Sequence, residues 1–180
     1  MPVKPLITIA CLGSLLMLPS AAAAQSVFIS EILVGNDRGY CDSFGDDPDW
    51  IELFNPSDKA VDLGGWSLTD DPEESPQRWQ FPQGTSLAPR AYLIVFVRNK
   101  RARESTPKEL HINTFRMNAK VGEVIVLKNS RNVEVHRIRF GAQKRDVSLG
   151  TTGRLEPATP QKWPTPGAPN DGPRPPSRCS

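Results

Sequence analysis

The chain has 180 residues, with 22 Lys and Arg against 20 Asp and Glu, 18 prolines and 13 glycines. That much proline and glycine excludes a mainly helical chain. No stretch approaches the roughly 20 apolar residues that a membrane-spanning helix needs. The near-neutral total conceals two halves of opposite sign: residues 31–74 hold 13 acidic and 2 basic side chains, residues 75–180 hold 19 basic and 7 acidic. Either the basic part draws in a polyanion such as nucleic acid or an acidic glycan, or the halves interleave in space and neutralise one another. In a β-sandwich, where early and late strands lie side by side, the second reading is the simpler.

Residues 1–24 have the layout of a signal peptide: Lys4, an apolar run over residues 6–18, then Pro19-Ser20 and the small residues Ala21 to Ala24. Cys11 as a lipidated residue is the poorer alternative, because the apolar run continues past it. Export to the periplasm or the medium is therefore expected, and it leaves Cys41 and Cys179 to form one disulfide.

In chain order, residues 27–34 read as a first strand. Residues 35–48 form a long acidic loop in which Asp42, Asp46 and Asp47, with Asp49 just beyond, offer hard oxygen donors within eight positions. That is enough for calcium if the loop wraps, although the spacing lacks the alternating ligands of an EF-hand. The bland alternative is a solvated loop. No other cofactor is called for.

Residues 50–55 and 61–69 are β-rich runs joined by turn formers, with Gly64-Gly65 allowing a bend before Trp66 packs inward. On the first of these, Glu52 lies between Trp50 and Phe54 on one face, so its carboxylate is expected to accept backbone or hydroxyl hydrogen bonds in a structural role. Residues 91–97 are apolar on both alternations and read as the best-buried strand.

Residues 98–108 read as a solvated loop in which Arg98, Lys100, Arg101 and Arg103 form the densest basic cluster, able to grip phosphates or sulfates. Residues 123–128 and 133–140 flank a four-residue turn and make a β-hairpin. His136 alternates with Ile138 and Phe140 and suits a partly buried strand position rather than a ligand. His111 has no companion nearby in sequence. From residue 154 onward 8 of 27 residues are proline, and this stretch reads as an extended tail with only Cys179 to fold it back. The domain plan is thus a signal peptide over 1–24, a β-sandwich over 25–153 and a proline-rich tail over 154–180.

Several pieces in register resemble the lamin tail domain. They are Ile29-Ser30-Glu31-Ile32, Asp49-Trp50-Ile51-Glu52-Leu53-Phe54-Asn55-Pro56, Val61-Asp62-Leu63-Gly64-Gly65-Trp66-Ser67-Leu68-Thr69-Asp70, Trp79-Gln80-Phe81-Pro82 with Gly84, Tyr92-Leu93-Ile94-Val95, Gly122-Glu123-Val124-Ile125-Val126-Leu127 and Pro164-Thr165-Pro166-Gly167-Ala168-Pro169-Asn170. The resemblance implies an all-β, immunoglobulin-like β-sandwich. With a signal peptide and no heptad rod, it points to the exported bacterial type. It also implies a non-catalytic module that binds proteins, and in nuclear lamins DNA and chromatin. The expected function is an exported interaction module at the cell envelope or outside the cell, with a polyanion binder as the alternative and no enzymatic activity.

Overall fold

The computed structural model describes residues 27–97, 105, 109–153 and 157–174. All regular elements among them are strands: β1 (Phe28–Leu33), β2 (Asp49–Phe54), β3 (Val61–Asp62), β4 (Ser67–Thr69), β5 (Trp79–Gln80), β6 (Ser86–Leu87), β7 (Tyr92–Val97), β8 (Leu110–Ile112), β9 (Glu123–Lys128), β10 (Glu134–Phe140), β11 (Leu149–Gly150) and β12 (Thr159–Pro160). A six-stranded sheet in the order β12-β11-β1-β2-β7-β8 faces a four-stranded sheet in the order β10-β9-β4-β5, and β3 and β6 form a small ribbon. All pairings are antiparallel except β7 with β8. This is an immunoglobulin-like β-sandwich.

The core follows from the two-residue period of each strand. Ile51 and Leu53 of β2, Val95 and Val97 of β7, Ile125 and Leu127 of β9, and Ile138 and Phe140 of β10 point between the sheets, with Leu68, Trp79 and Phe81 closing one side. Gly65 takes φ +74°, a left-handed turn that glycine adopts without strain. The turn lets the Trp66 amide bond Leu63 O at 2.9 Å and lays Trp66, half-buried, against the core. The hairpin of β9 and β10 forms as the sequence indicates, with Asn132 at φ 60° in its turn.

One expectation is corrected. The best-buried strand is β1, with all six residues buried, whereas Tyr92, Leu93 and Ile94 of β7 are only half-buried. The cause is cover from late in the chain: β11 pairs with β1, residues 165–170 cross its outer face, and His136 Nδ1 of β10 accepts the Ile29 amide at a bulge between Ile29 and Glu31.

The acidic and basic halves do interleave. Asp37 pairs with Arg145, Asp58 with Arg90 and Asp70 with Arg78. Each is a surface pair of small individual worth, but together they offset the charge split read from the sequence.

Candidate functional site

The strand register sorts the outer face of the six-stranded sheet into three rows. Leu33, Trp50, Phe96 and His111 lie opposite one another in the first, Glu31, Glu52 and Ile94 in the second, and Phe28, Phe54 and Tyr92 in the third. Two carboxylates thus stand side by side between two aromatic rows. Like charges directly opposite across a ladder repel, and both groups here are fully buried.

The chain satisfies them with its own C-terminal segment. Glu31 accepts the Ser148 hydroxyl, the Thr165 amide at 3.1 Å and the Thr165 hydroxyl at 2.9 Å. Glu52 accepts the Ser30 hydroxyl at 2.7 Å and the Gly167 amide at 2.5 Å. Asn170 completes the clasp by donating to Ser30 O at 2.9 Å and Thr151 O at 2.8 Å, while its Oδ1 accepts the Thr165 hydroxyl. A Cβ on Gly150 would meet the Asn170 side chain at 2.5 Å, so glycine there is required by this close approach.

Burial raises both carboxyl groups above the ordinary range. For Glu31, the Ser148 and Thr165 hydrogen bonds oppose the rise. Glu52 is pushed up to about 8, chiefly by burial, against the Ser30 and Gly167 hydrogen bonds and with help from the Glu31 charge. At neutral pH Glu52 is thus mainly protonated beside an adjacent carboxyl. The Ser30 hydroxyl can donate or accept, so it suits either state. Burial, with Glu52, Asp171 and Glu31 adding to it, raises the nearby Tyr92 phenol to about 12. The structural role expected for Glu52 is what its hydrogen bonds describe. Glu31 and the clasp were not legible, because their partners lie more than 110 residues away.

The four aspartates of the acidic loop do not share one centre. Asp49 Oδ1 accepts the amides of Gly35 at 2.7 Å and Asn36 at 3.2 Å, and Asp42 Oδ1 accepts those of Phe44 and Asp46, both at 3.0 Å. These are turn-forming bonds within the loop. Asp46 is half-buried and Asp47 exposed. Asp42 instead meets residues distant in sequence: its carboxylate, that of Glu109 and a ring nitrogen of His111 lie within 4.8 Å of one another.

His111 Nε2 is 2.8 Å from Glu109 Oε1, and Ser43 donates to both Glu109 oxygens. The mixed nitrogen and oxygen set suits a transition metal better than calcium. His111 Nδ1, however, has no partner, whereas a metal-bound imidazole donates its second N–H to an acceptor. His111 Nε2 donating to the Glu109 carboxylate accounts for the arrangement. The rest of the loop seals the first row, with Tyr40 stacked on Phe96 and edge-on to Trp50.

Cys41 is buried and disulfide-bonded. Cys179 lies outside the described residues, as do Arg98, Lys100, Arg101 and Arg103. Residues 157–174, drawn from sequence as part of a tail, supply β12 and the clasp.

On the four-stranded sheet, a groove of about 420 Å³ runs between the turn at residues 70–73 and the outer face of β9 and β10. Thr69 pins the turn by donating to Ser75 O at 2.7 Å and accepting the Asp71 amide at 3.0 Å. Val124 and Lys128 form the groove's floor, with Glu134, Arg137 and Arg139 beside them.

The family model for the lamin tail domain matches residues 20–142. The chain belongs to the lamin tail domain family. Comparison with curated proteins returns no match. In this lamin tail domain, the run from Trp50 to Pro56 is the central strand β2 and the turn after it, where Asn55 donates to Lys59 O, Leu87 O and Ala88 O. The matched residues include both buried carboxylates but end before β11, β12 and the clasp, so segment 164–170 lies beyond them. Among the described residues no helix is long and apolar enough to cross a membrane. The family is that of a structural, non-catalytic immunoglobulin-like module.

Proposed function

We propose that this chain is an exported, non-catalytic interaction module of the lamin tail type, making protein contacts at the cell envelope or outside the cell. The observation that carries the non-catalytic reading is the state of its most perturbed acids. Glu31 and Glu52 are the kind of displaced pair that acid–base chemistry would use, yet both are sealed from solvent and bonded to the protein's own backbone and hydroxyls. Export rests on the leader-like residues 1–24, and a Cys41–Cys179 bridge would tie the end of the chain to the acidic loop.

The test is fractionation of the tagged protein with N-terminal sequencing, followed by cross-linking in the envelope and medium. The expected result is a mature chain beginning near Gln25, with a cross-linked protein that excess untagged domain displaces. Retention in the cytoplasm with residues 1–24 intact would defeat the export part. Steeply salt-dependent binding to heparin or DNA, lost when Arg98, Lys100, Arg101 and Arg103 become Ser, would put the polyanion reading in its place.

A further inference from the structure

Residues 164–170 are held to the sandwich by few bonds, and most of those end on the same two acids. The segment contributes no strand. Thr165 donates its amide and its hydroxyl to Glu31, and Gly167 donates its amide to Glu52. Beyond these, among the described residues, only Asn170 reaches the body of the domain, at Ser30 O and Thr151 O. Two further bonds stay inside the segment, from the Ala168 amide to Thr165 O and from the Thr165 hydroxyl to Asn170 Oδ1. The strands beneath are held differently, since β2 pairs along its whole length with both β1 and β7. A disturbance at the carboxyls therefore acts on the segment before it acts on the ladder.

Glu31 and Glu52 stand opposite one another on β1 and β2, both fully buried. No basic side chain pairs with either. The titratable groups around each are the other carboxyl, Tyr92 on β7 and Asp171 just past the segment, all of them acids. Ser148 and both donors of Thr165 meet Glu31, whereas Glu52 has only the Ser30 hydroxyl and the Gly167 amide. One negative charge is thus well supplied with donors at Glu31, and Glu52 is the member that keeps a proton. Losing that proton sets two like charges side by side, enclosed and without a cation. Admitting water relieves them, and residues 164–170 are the cover that can leave without breaking a ladder.

We propose that residues 164–170 form a pH-released latch: when the last proton of the Glu31–Glu52 pair is lost, the segment leaves the outer face of β1 and β2 while the sandwich stays folded. Release uncovers both carboxyls and the carbonyls of Ser30 and Thr151. The closed latch binds the proton more tightly than the open one, in which Glu52 is hydrated. Closure is therefore complete in acid and weakens by up to about tenfold per pH unit as pH rises. Burial lifts the Glu52 carboxyl to about 8, which places the release on the alkaline side of neutrality. The device is independent of export and of any protein partner.

The test is amide exchange by NMR on the ¹⁵N-labelled full chain, with protection taken relative to the unstructured rate at each pH. From about pH 6 to about pH 9, protection at Thr165 and Gly167 should fall at least a hundredfold, to the level of an exposed loop, while the amides of β2 and β9 remain protected. Glu52→Gln keeps an acceptor for Gly167 and cannot ionise, so it should hold both amides protected across the range. Tyr92→Phe should leave the loss as in the parent. Should Glu52→Gln fold poorly, the side-chain carboxyl ¹³C signal of Glu52 in the parent reads the same event, and its ionisation must follow the same pH curve as the loss of protection. Ionisation of Glu52 with Thr165 and Gly167 still protected would overturn the latch. So would loss of protection in β2 and β9 at the same pH, which is general unfolding, or an unchanged loss in Glu52→Gln.

Discussion

The outer faces of the two sheets bury ionisable side chains in different ways. On the six-stranded sheet, Glu31 and Glu52 are fully enclosed and their oxygens accept amides and hydroxyls from Ser30, Ser148, Thr165 and Gly167. On the four-stranded sheet, the Lys128 stem is buried and its charge acts on Glu134, whose hydrogen bonds come from Arg137. Burial alone therefore does not mark a site. A buried carboxyl group whose bonds are met by its own chain acts as architecture, whereas a lysine can bury its stem and keep its charged head at the surface.

The comparison breaks most visibly at the clasp. Glu31→Ala would leave the Thr165 amide and the Ser148 hydroxyl without their acceptor, while the Thr165 hydroxyl keeps Asn170 Oδ1. At about 1–3 kcal/mol for each buried group left unsatisfied, a loss of several kcal/mol is expected, read as a lower urea midpoint. Next in size is a pH effect. Because burial raises the Glu52 carboxyl to about 8 from an unfolded value of 4.5, the folded state binds the proton more tightly. Its contribution is fully present below about pH 4.5 and is lost as pH rises through 8, a swing on the order of a few kcal/mol. Glu52→Gln keeps the shape and removes the titration, so its stability should exceed that of the parent at pH 8.5 and match it near pH 4.5. Parallel melting profiles across that range would show that Glu52 is not held protonated.

Smaller effects follow. Asn170→Ala removes both bonds to Ser30 O and Thr151 O and should cost about 2 kcal/mol by denaturant unfolding. Lys128→Met, on the other face, should move the melting temperature by no more than a few degrees, since the stem packing is kept and only a charge attraction to Glu134 is lost. A marked destabilisation there would mean that the Lys128 charge is held in the fold as firmly as the carboxyls, and the contrast between the faces would fail. The smallest effect concerns the acidic loop. With Asp42 and Asp49 bonded to loop amides, calcium or a chelator should move the melting temperature by no more than a degree or two. A larger rise with calcium would establish the ion as a native-state ligand.

Local chemistry was legible in the sequence where both partners are close in the chain. The hairpin around Asn129 to Asn132, the bend at Gly65 and the strand run at Trp50 all follow from spacing and turn residues. So did the role of Glu52, since a carboxylate between two large aromatics must find donors. The clasp was not legible because Thr165, Gly167 and Asn170 bond across more than 110 residues, and a proline-rich stretch carries no periodicity to mark which residues it bonds. The aspartates of the loop lie close in sequence, yet turn chemistry claims Asp42 and Asp49, and Glu109 and His111 reach Asp42 only through the fold. The groove was hidden for a different reason. The Lys128–Glu134 pair is what the hairpin register suggests, and only the side-chain geometry reveals that Arg137 makes the close contact with Glu134.

The central claim is that the C-terminal segment is part of the sandwich, held by the buried carboxylates. Amide hydrogen exchange at Thr165 and Gly167 tests it most directly. The account predicts protection comparable with that of β1 and β2, lost at both amides in Glu31→Ala if that variant remains folded, and at Gly167 in Glu52→Ala. Exchange of these two amides at the rate of an exposed loop in the parent protein would contradict it.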